Sequence, residues 1–171
     1  VNFPGGTSVN DLDTIDALAT RMAERGVRPE LEIFDLGMAH LAQRLVRRGL
    51  LHGPAYANLM LGFPNGAPAD ARALVALVYA LPAEITAWGA GGFWAFQRPA
   101  GALAAAAGGH VRTGLEDNPH LDHETRAPAT NPALVERAVA QARAAGRRVA
   151  TPTEARAILG LPIPAPAPAA G

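Results

Sequence analysis

Residues 108–118 read GGHVRTGLEDN, and the expected fold follows from how this stretch alternates. As a strand it sends His110, Arg112, Gly114 and Glu116 to one side and Val111, Thr113 and Leu115 to the other, because successive side chains point to opposite faces. One face is charged and the other mostly apolar. In a strand covered on both sides by an α/β fold, a cation and a carboxylate on one face need partners, since an isolated buried charge is costly. A ligand or a metal is one such partner. Glu116 and Asp117 end the stretch as adjacent carboxylates at its carboxyl end, where parallel α/β proteins place their chemistry.

Working outward, the chain alternates short strands with helices. From Ser8 the apolar residues Ile15, Leu18, Ala19 and Met22 recur at helical spacing, with Asn10 as the expected cap, Asp11 and Asp13 at the positive end and Gly26 as the stop. ELEIFD at 30–35 alternates as a strand, with Leu31 and Ile33 on one side and Glu30, Glu32 and Phe34 on the other. Asp35 can cap the next helix, whose stripe is Met38, Leu41, Leu45 and Val46, whose carboxyl end carries Arg44, Arg47 and Arg48, and which stops at Gly49. The unit repeats: YANLMLGF at 56–63 as strand, 68–82 as helix, AEITAWGAGG at 83–92 as strand, and 96–109 as a poorer, glycine-containing helix before HVRTGLED. A loop over 119–129 precedes a helix with Asn131 as cap and Pro132 in its first turn, running to Gly146. Thr151 and Glu154 form a capping box for a last helix ending near Gly160. The domain expected is 1–160, followed by a Pro/Ala-rich disordered tail over 161–171.

Strand and helix in strict alternation, with short connections, imply right-handed βαβ units and a parallel sheet. An eight-stranded (β/α)8 barrel takes about 250 residues, and this chain has 171. It supplies four strands and six helices at most. Two architectures remain, an open four-stranded α/β sheet or half of a TIM barrel, because the repeating unit is the same in both. The polar face of such a sheet is expected to carry Glu32 and Phe34, Asn58 and Met60, Thr86 and Trp88, then Arg112 and Glu116. Glu32 and Arg112 read either as an ion pair holding the sheet together or as part of a charged pocket at the strand ends.

Composition removes whole classes of function. Fifteen basic residues balance fifteen acidic ones, so no electrostatically steered nucleic acid or membrane partner is expected. Every basic residue is arginine, a bias that goes with the abundance of Ala, Gly and Pro. The absence of cysteine removes disulfides, thiolate zinc sites and thiol nucleophiles, and fits a reducing, cytoplasmic setting. Ser8 is the sole serine, so serine hydrolysis is excluded. Of the five histidines, His40 and His52 read as surface residues and His110 opens its strand at the far end from the carboxylates. His120 and His123 imitate a His-x-x-His metal site but lie in a loop, where such clusters are usually solvated. GAGG at 89–92 and PNG at 64–66 follow strands, match no phosphate-binding fingerprint and read as turns.

The phrases VRPELEIFDLGMA and GGHVRTGLEDN, with VNF near the start and TPTEAR near the end, resemble the β-keto acid cleavage enzymes, typified by the 3-keto-5-aminohexanoate cleavage enzyme of lysine fermentation. The likeness runs in order through nearly all of 1–161. It implies a zinc-dependent (β/α)8 barrel that uses acetyl-CoA to convert a β-keto acid into acetoacetate and a new CoA ester. It further implies Glu116 as a zinc ligand, Asp117 as general base and Arg112 as the residue that orients and activates that base. The chemistry is coherent: zinc polarises the keto group, a carboxylate takes the proton, and the resulting carbon attacks the thioester before a retro-Claisen step.

The departures from the family pattern are as informative. The His-x-His zinc ligands of the second family strand, and the substrate-binding Ser and Thr of the third and fourth, have no counterpart here, so the chain resembles the carboxyl-terminal half of such an enzyme. GGFWAFQRP places Trp94 and Ala95 where relatives usually carry a Gly-Arg pair, while Pro99 and Gln97 still fit. The expectation is therefore a fragment, incomplete alone, that pairs with a missing amino-terminal half or with another copy. The rival expectation is a non-catalytic α/β protein that binds a small anion or partner through Arg112.

Overall fold

In a computed structural model, which describes residues 2–3 and 6–163, four parallel strands form one sheet. They are β1 Glu30–Ile33, β2 Ala55–Leu61, β3 Ile85–Gly92 and β4 His110–Val111. Helix α1 Leu12–Glu24 precedes the sheet. Helices α2 Leu36–Arg47, α3 Ala71–Ala80 and α4 Gln97–Ala106 make the crossovers. Helices α5 Asn131–Ala144 and α6 Pro152–Ile158 follow the last strand. The sheet order is the chain order, β1-β2-β3-β4, with every pairing parallel.

That order separates the two architectures left open by the sequence. A doubly wound sheet reverses its strand order at a switch point and so carries helices on both faces. Right-handed crossovers that never reverse place every crossover helix on the same face. Here Ile33, Ala57, Leu59, Leu61 and Ala90 point to that face and pack with Ala39, Ala42, Leu45, Leu74, Leu77, Ala100 and Ala104 in one buried cluster. The opposite face carries Glu30, Glu32, Tyr56, Asn58, Met60 and Arg112. This is the organisation of consecutive (β/α) units of a barrel, whose inner face is the polar one.

Helix ends follow the expected chemistry with two shifts of one residue. Asp11, not Asn10, caps α1, its Oδ1 accepting the Thr14 N–H at 2.8 Å. Thr130, not Asn131, caps α5, accepting the Ala133 N–H at 3.3 Å. Asn131 is thereby free to accept the Leu115 N–H at 3.0 Å, tying the turn after β4 to α5. Asp35 caps α2 through the Met38 N–H, and the Thr151–Glu154 capping box is complete. Gly26, Gly49, Gly146 and Gly160 end helices at φ of 65°, 66°, 72° and 63°, the left-handed conformation that a Cβ disfavours.

Three further expectations are corrected. Trp88 does not lie on the polar face, and Thr86 is the extra residue at an irregularity of β3. A register shift between Ala55 and Tyr56 aligns Tyr56 with Ala87, Asn58 with Gly89 and Met60 with Gly91. Trp88 instead packs with the helix-side core. Gly89 to Gly92 are not a turn but the carboxyl half of β3. The loop over 119–129 contains a short antiparallel pair, His120–Asp122 with Ala127–Pro128. Of the expected tail, residues 164–171 lie outside the described residues.

Candidate active site

The polar face is shaped by the smallness of β3. A Cβ on Gly89 would stand 2.2 Å from the Tyr56 hydroxyl, and one on Gly91 would stand 3.1 Å from Cβ of Arg112. With Ala87, Gly89 and Gly91 in this row, the larger side chains of β2 and β4 can lean across β3. The Asn58 amide donates to Glu30 and accepts from the Tyr56 hydroxyl at 3.1 Å. Burial first, and then the nearby Glu30 carboxylate, push the Tyr56 phenol up to about 12, with Arg112 opposing.

Arg112 is the hub of the face. Its Nη1 donates to Glu32 at 2.5 Å, across two intervening strands. In a flat sheet three strand spacings amount to about 14 Å, so the contact is one that a sheet curled towards this face allows. Its Nε and Nη2 donate to the two carboxylate oxygens of Asp117 at 3.0 and 3.3 Å, and Nη2 also lies 3.5 Å from Glu116. Burial works against the guanidinium charge, but the hydrogen bonds and charges of Asp117 and Glu32 outweigh it and hold the group above its ordinary value.

The fourth strand is shorter than its alternation implies. Regular pairing ends at Val111, with one more ladder bond from the Arg112 N–H to the Ala90 carbonyl at 3.0 Å. The chain then turns, both Asp117 and Asn118 donating their N–H groups to the Gly114 carbonyl at 3.3 Å. The turn changes which carboxylate Arg112 holds: the expected same-face partner Glu116 has a side chain 87% exposed, while Asp117 is 3% exposed.

Residues that alternation cannot reveal hold this turn in place. Gln97, buried at the start of α4, donates to the Gly114 carbonyl at 2.9 Å and accepts from Arg137 at 2.6 Å. Asn118, also buried, brackets His120 by donating to its carbonyl at 2.6 Å and accepting its N–H at 3.0 Å. Arg137 of α5 donates to the Leu121 carbonyl at 2.9 Å; burial and then the charge of Arg98 lower its guanidinium from the ordinary value. The resemblance keeps Gln97 as a residue that fits the family pattern, but gives it no role in holding a turn.

The histidines are dispersed. His40 and His52 are exposed. His110 tilts against Tyr56 at 6.2 Å, and burial, then Arg147, lower its imidazole from the usual value. His120 and His123 meet edge to face at 5.9 Å. Among the described residues no three His, Asp or Glu side chains form a group able to hold a metal. For zinc, the donor chemistry fits at one position: Glu116 is exposed and only loosely paired, and three carboxylates face a single guanidinium, leaving negative charge to spare. Catalytic zinc takes three protein ligands. Among the described residues Glu116 has no companion donors that would complete such a set.

The model of the beta-keto acid cleavage enzyme family matches residues 1–161. The chain belongs to that family. It is 38% identical over 164 residues to the 3-oxoadipate:acetyl-CoA acetyltransferase of Cupriavidus necator, covering 95% of this chain and 57% of that enzyme. It is 41% identical over 161 residues to the 3-keto-5-aminohexanoate cleavage enzyme of Fusobacterium nucleatum, covering 94% of this chain and 58% of that enzyme. The chain therefore spans a little over half the length of the curated relatives it matches. Among solved structures, apo ObcA superposes with a TM-score of 0.71 at 21% identity, over 95% of this chain and 42% of that one. ObcA bound to oxaloacetate gives 0.66 at 19% identity, over 95% and 44%. The fold is thus shared with part of that larger chain. Among the described residues no helix is long and apolar enough to cross a membrane.

Proposed function

We infer that this chain carries the acid-base half of a zinc-dependent β-keto acid cleavage enzyme, which converts a β-keto acid and acetyl-CoA into acetoacetate and an acyl-CoA. The observation that carries the inference is the two-point grip of Arg112 on the buried Asp117. An ionised carboxylate has about four acceptor positions. Arg112 occupies two and fixes the plane of the group, leaving the others for a proton from the carbon next to the substrate's keto group. Asp117 is then the general base and Arg112 its positioning residue. Glu116, turned outward beside them, is this chain's contribution to a zinc site whose remaining donors come from elsewhere; bound zinc would polarise the keto oxygen.

The competing anion-binder role for Arg112 is disfavoured by its partners. A guanidinium already engaged by Glu32 and Asp117, with Glu116 nearby, offers an incoming anion more repulsion than attraction.

The test is acetoacetate formation from acetyl-CoA and a β-keto acid. The isolated 171-residue chain should show no measurable turnover, and turnover should appear when a family amino-terminal half with its His-x-His is supplied. Asp117→Asn should then lower kcat by about 100-fold or more with little change in keto-acid affinity. Robust turnover by the isolated chain, lost in Glu116→Ala, would overturn the incomplete-site part. Full activity in Asp117→Asn would overturn the base assignment.

A further inference from the structure

We propose that Trp94 and Phe93, backed by the buried Phe34 and Phe63, form the wall that receives the substrate's side chain, and that this wall selects β-keto acids with an apolar chain over those ending in a second carboxylate. The proposal rests on the function inferred above and adds the substrate class.

Each of the first three strands of the sheet is followed by an aromatic residue. Phe34 follows β1 directly, Phe63 comes two residues after β2, and Phe93 and Trp94 follow β3. They form one cluster. Phe34 meets Phe63 edge to face at 5.7 Å and stacks on Phe93 at 6.1 Å, and Phe63 and Phe93 are 4.8 Å apart. Trp94 lies parallel to Phe63, with ring centroids 6.2 Å apart and planes 13° from each other.

The cluster borders the acid-base pair directly. The Trp94 N–H donates to the Asp117 carbonyl at 2.9 Å, and Phe34 lies two residues beyond Glu32, the other partner of Arg112. Trp94 adopts φ 51°, a conformation that favours glycine, so stacking rather than backbone preference sets its position. Even so, 37% of its surface remains exposed. A large ring held against its backbone preference and left partly open beside a buried carboxylate is suited to close over a ligand.

Charge gives the direction of selection. One guanidinium faces Glu32, Glu116 and Asp117, so a second substrate carboxylate placed here would meet surplus negative charge over an apolar wall. A methylene group is received by rings, and each one buried should improve binding about fourfold.

The experiment compares kcat/KM for 3-oxohexanoate and 3-oxoadipate, which match in length, with acetyl-CoA as co-substrate and the complete natural protein as enzyme. The expected result is a preference of at least tenfold for 3-oxohexanoate. Trp94→Gly, which suits φ 51°, should reduce that preference to threefold or less by lowering the 3-oxohexanoate value, and Trp94→Phe should restore it. Equal use of both acids, or preference for 3-oxoadipate, would overturn the wall while leaving the acid-base assignment standing. So would equal losses for both acids in Trp94→Gly, which marks a purely structural ring. No turnover or binding of either acid would overturn the wall together with the function on which it rests.

Discussion

Replacing Arg112 with Met removes the charge but keeps most of the side-chain length, and the structure sets the size of the effect. Two unit charges 4 Å apart attract by about 4 kcal/mol at an effective dielectric of 20. Glu32 and Glu116 have side chains 45% and 87% exposed, so together they contribute no more than about 1 kcal/mol. Asp117 is 3% exposed and accepts from Arg112 through both oxygens; stranding such a carboxylate costs about 3–5 kcal/mol. Arg112→Met should therefore destabilise the protein by about 3 kcal/mol, at the lower end because Arg112 itself is only partly buried. Asp117→Asn should cost about 1–2 kcal/mol, since an amide still accepts one of the bonds. The double variant should be less damaging than the sum by about 2 kcal/mol. Urea unfolding of the four proteins at neutral pH reads this coupling. A coupling below about 0.5 kcal/mol would refute the claim that Arg112 holds Asp117. Loss of the coupling in 1 M salt would show that the pair is solvated rather than buried.

Tyr56 offers a spectroscopic check on the base of the polar face. In Tyr79→Phe, which leaves one tyrosine, phenolate absorbance should rise near pH 12. Its folded pKa lies above the ordinary 10.0, so the unfolded chain loses this proton first. The stability from this group should therefore be intact below pH 10.0, fade between that value and about 12, and be gone above it. A phenolate midpoint at 10 would show the hydroxyl to be solvated. Gly92→Ala tests the turn that presents the aromatic residues: the added Cβ would lie 2.5 Å from the Phe96 carbonyl oxygen, backbone that cannot swing aside. A loss of about 2–3 kcal/mol in thermal or urea unfolding is expected. A loss under about 0.5 kcal/mol would show that 92–96 yields freely.

How much was legible in the sequence depended on whether the relevant interaction is local. Four strands, six helices and the glycine stops could be read because periodicity and helix capping act over a few residues. Asp11 and Thr130 displaced the expected caps Asn10 and Asn131 because neighbouring polar residues compete and only the true first turn decides between them. The polar-face assignment failed at Trp88 because the extra residue Thr86 in β3 reverses the outward sense of everything after it. The sequence resemblance named Arg112, Glu116 and Asp117 together. Strand alternation grouped Arg112 with Glu116, because it cannot foresee that the chain leaves the sheet after Val111. Gln97, Asn118 and Asn131 were invisible as supports, since each acts on a turn contributed by another part of the chain.

The turn after β4 gives two neighbouring carboxylates different surroundings. Asp117 is folded beneath the guanidinium that also reaches β1, so the position of this carboxylate, the proposed base, depends on the same contact that joins the first and fourth strands. Any loosening of the sheet's curvature should therefore be felt as a misplaced carboxylate before it is felt as unfolding. Glu116 is only loosely paired with the same guanidinium, at 3.5 Å, and its side chain is 87% exposed. A carboxylate held on both oxygens by a guanidinium is a poor ligand for a cation, and one left free is a poorly aimed base. The alternation of a straight strand would have given Arg112 to Glu116 and reversed the two environments. By ending the strand at Val111 and folding back onto the Gly114 carbonyl, the chain gives two adjacent carboxylates opposite environments, which is the division that the proposed roles of base and cation ligand require.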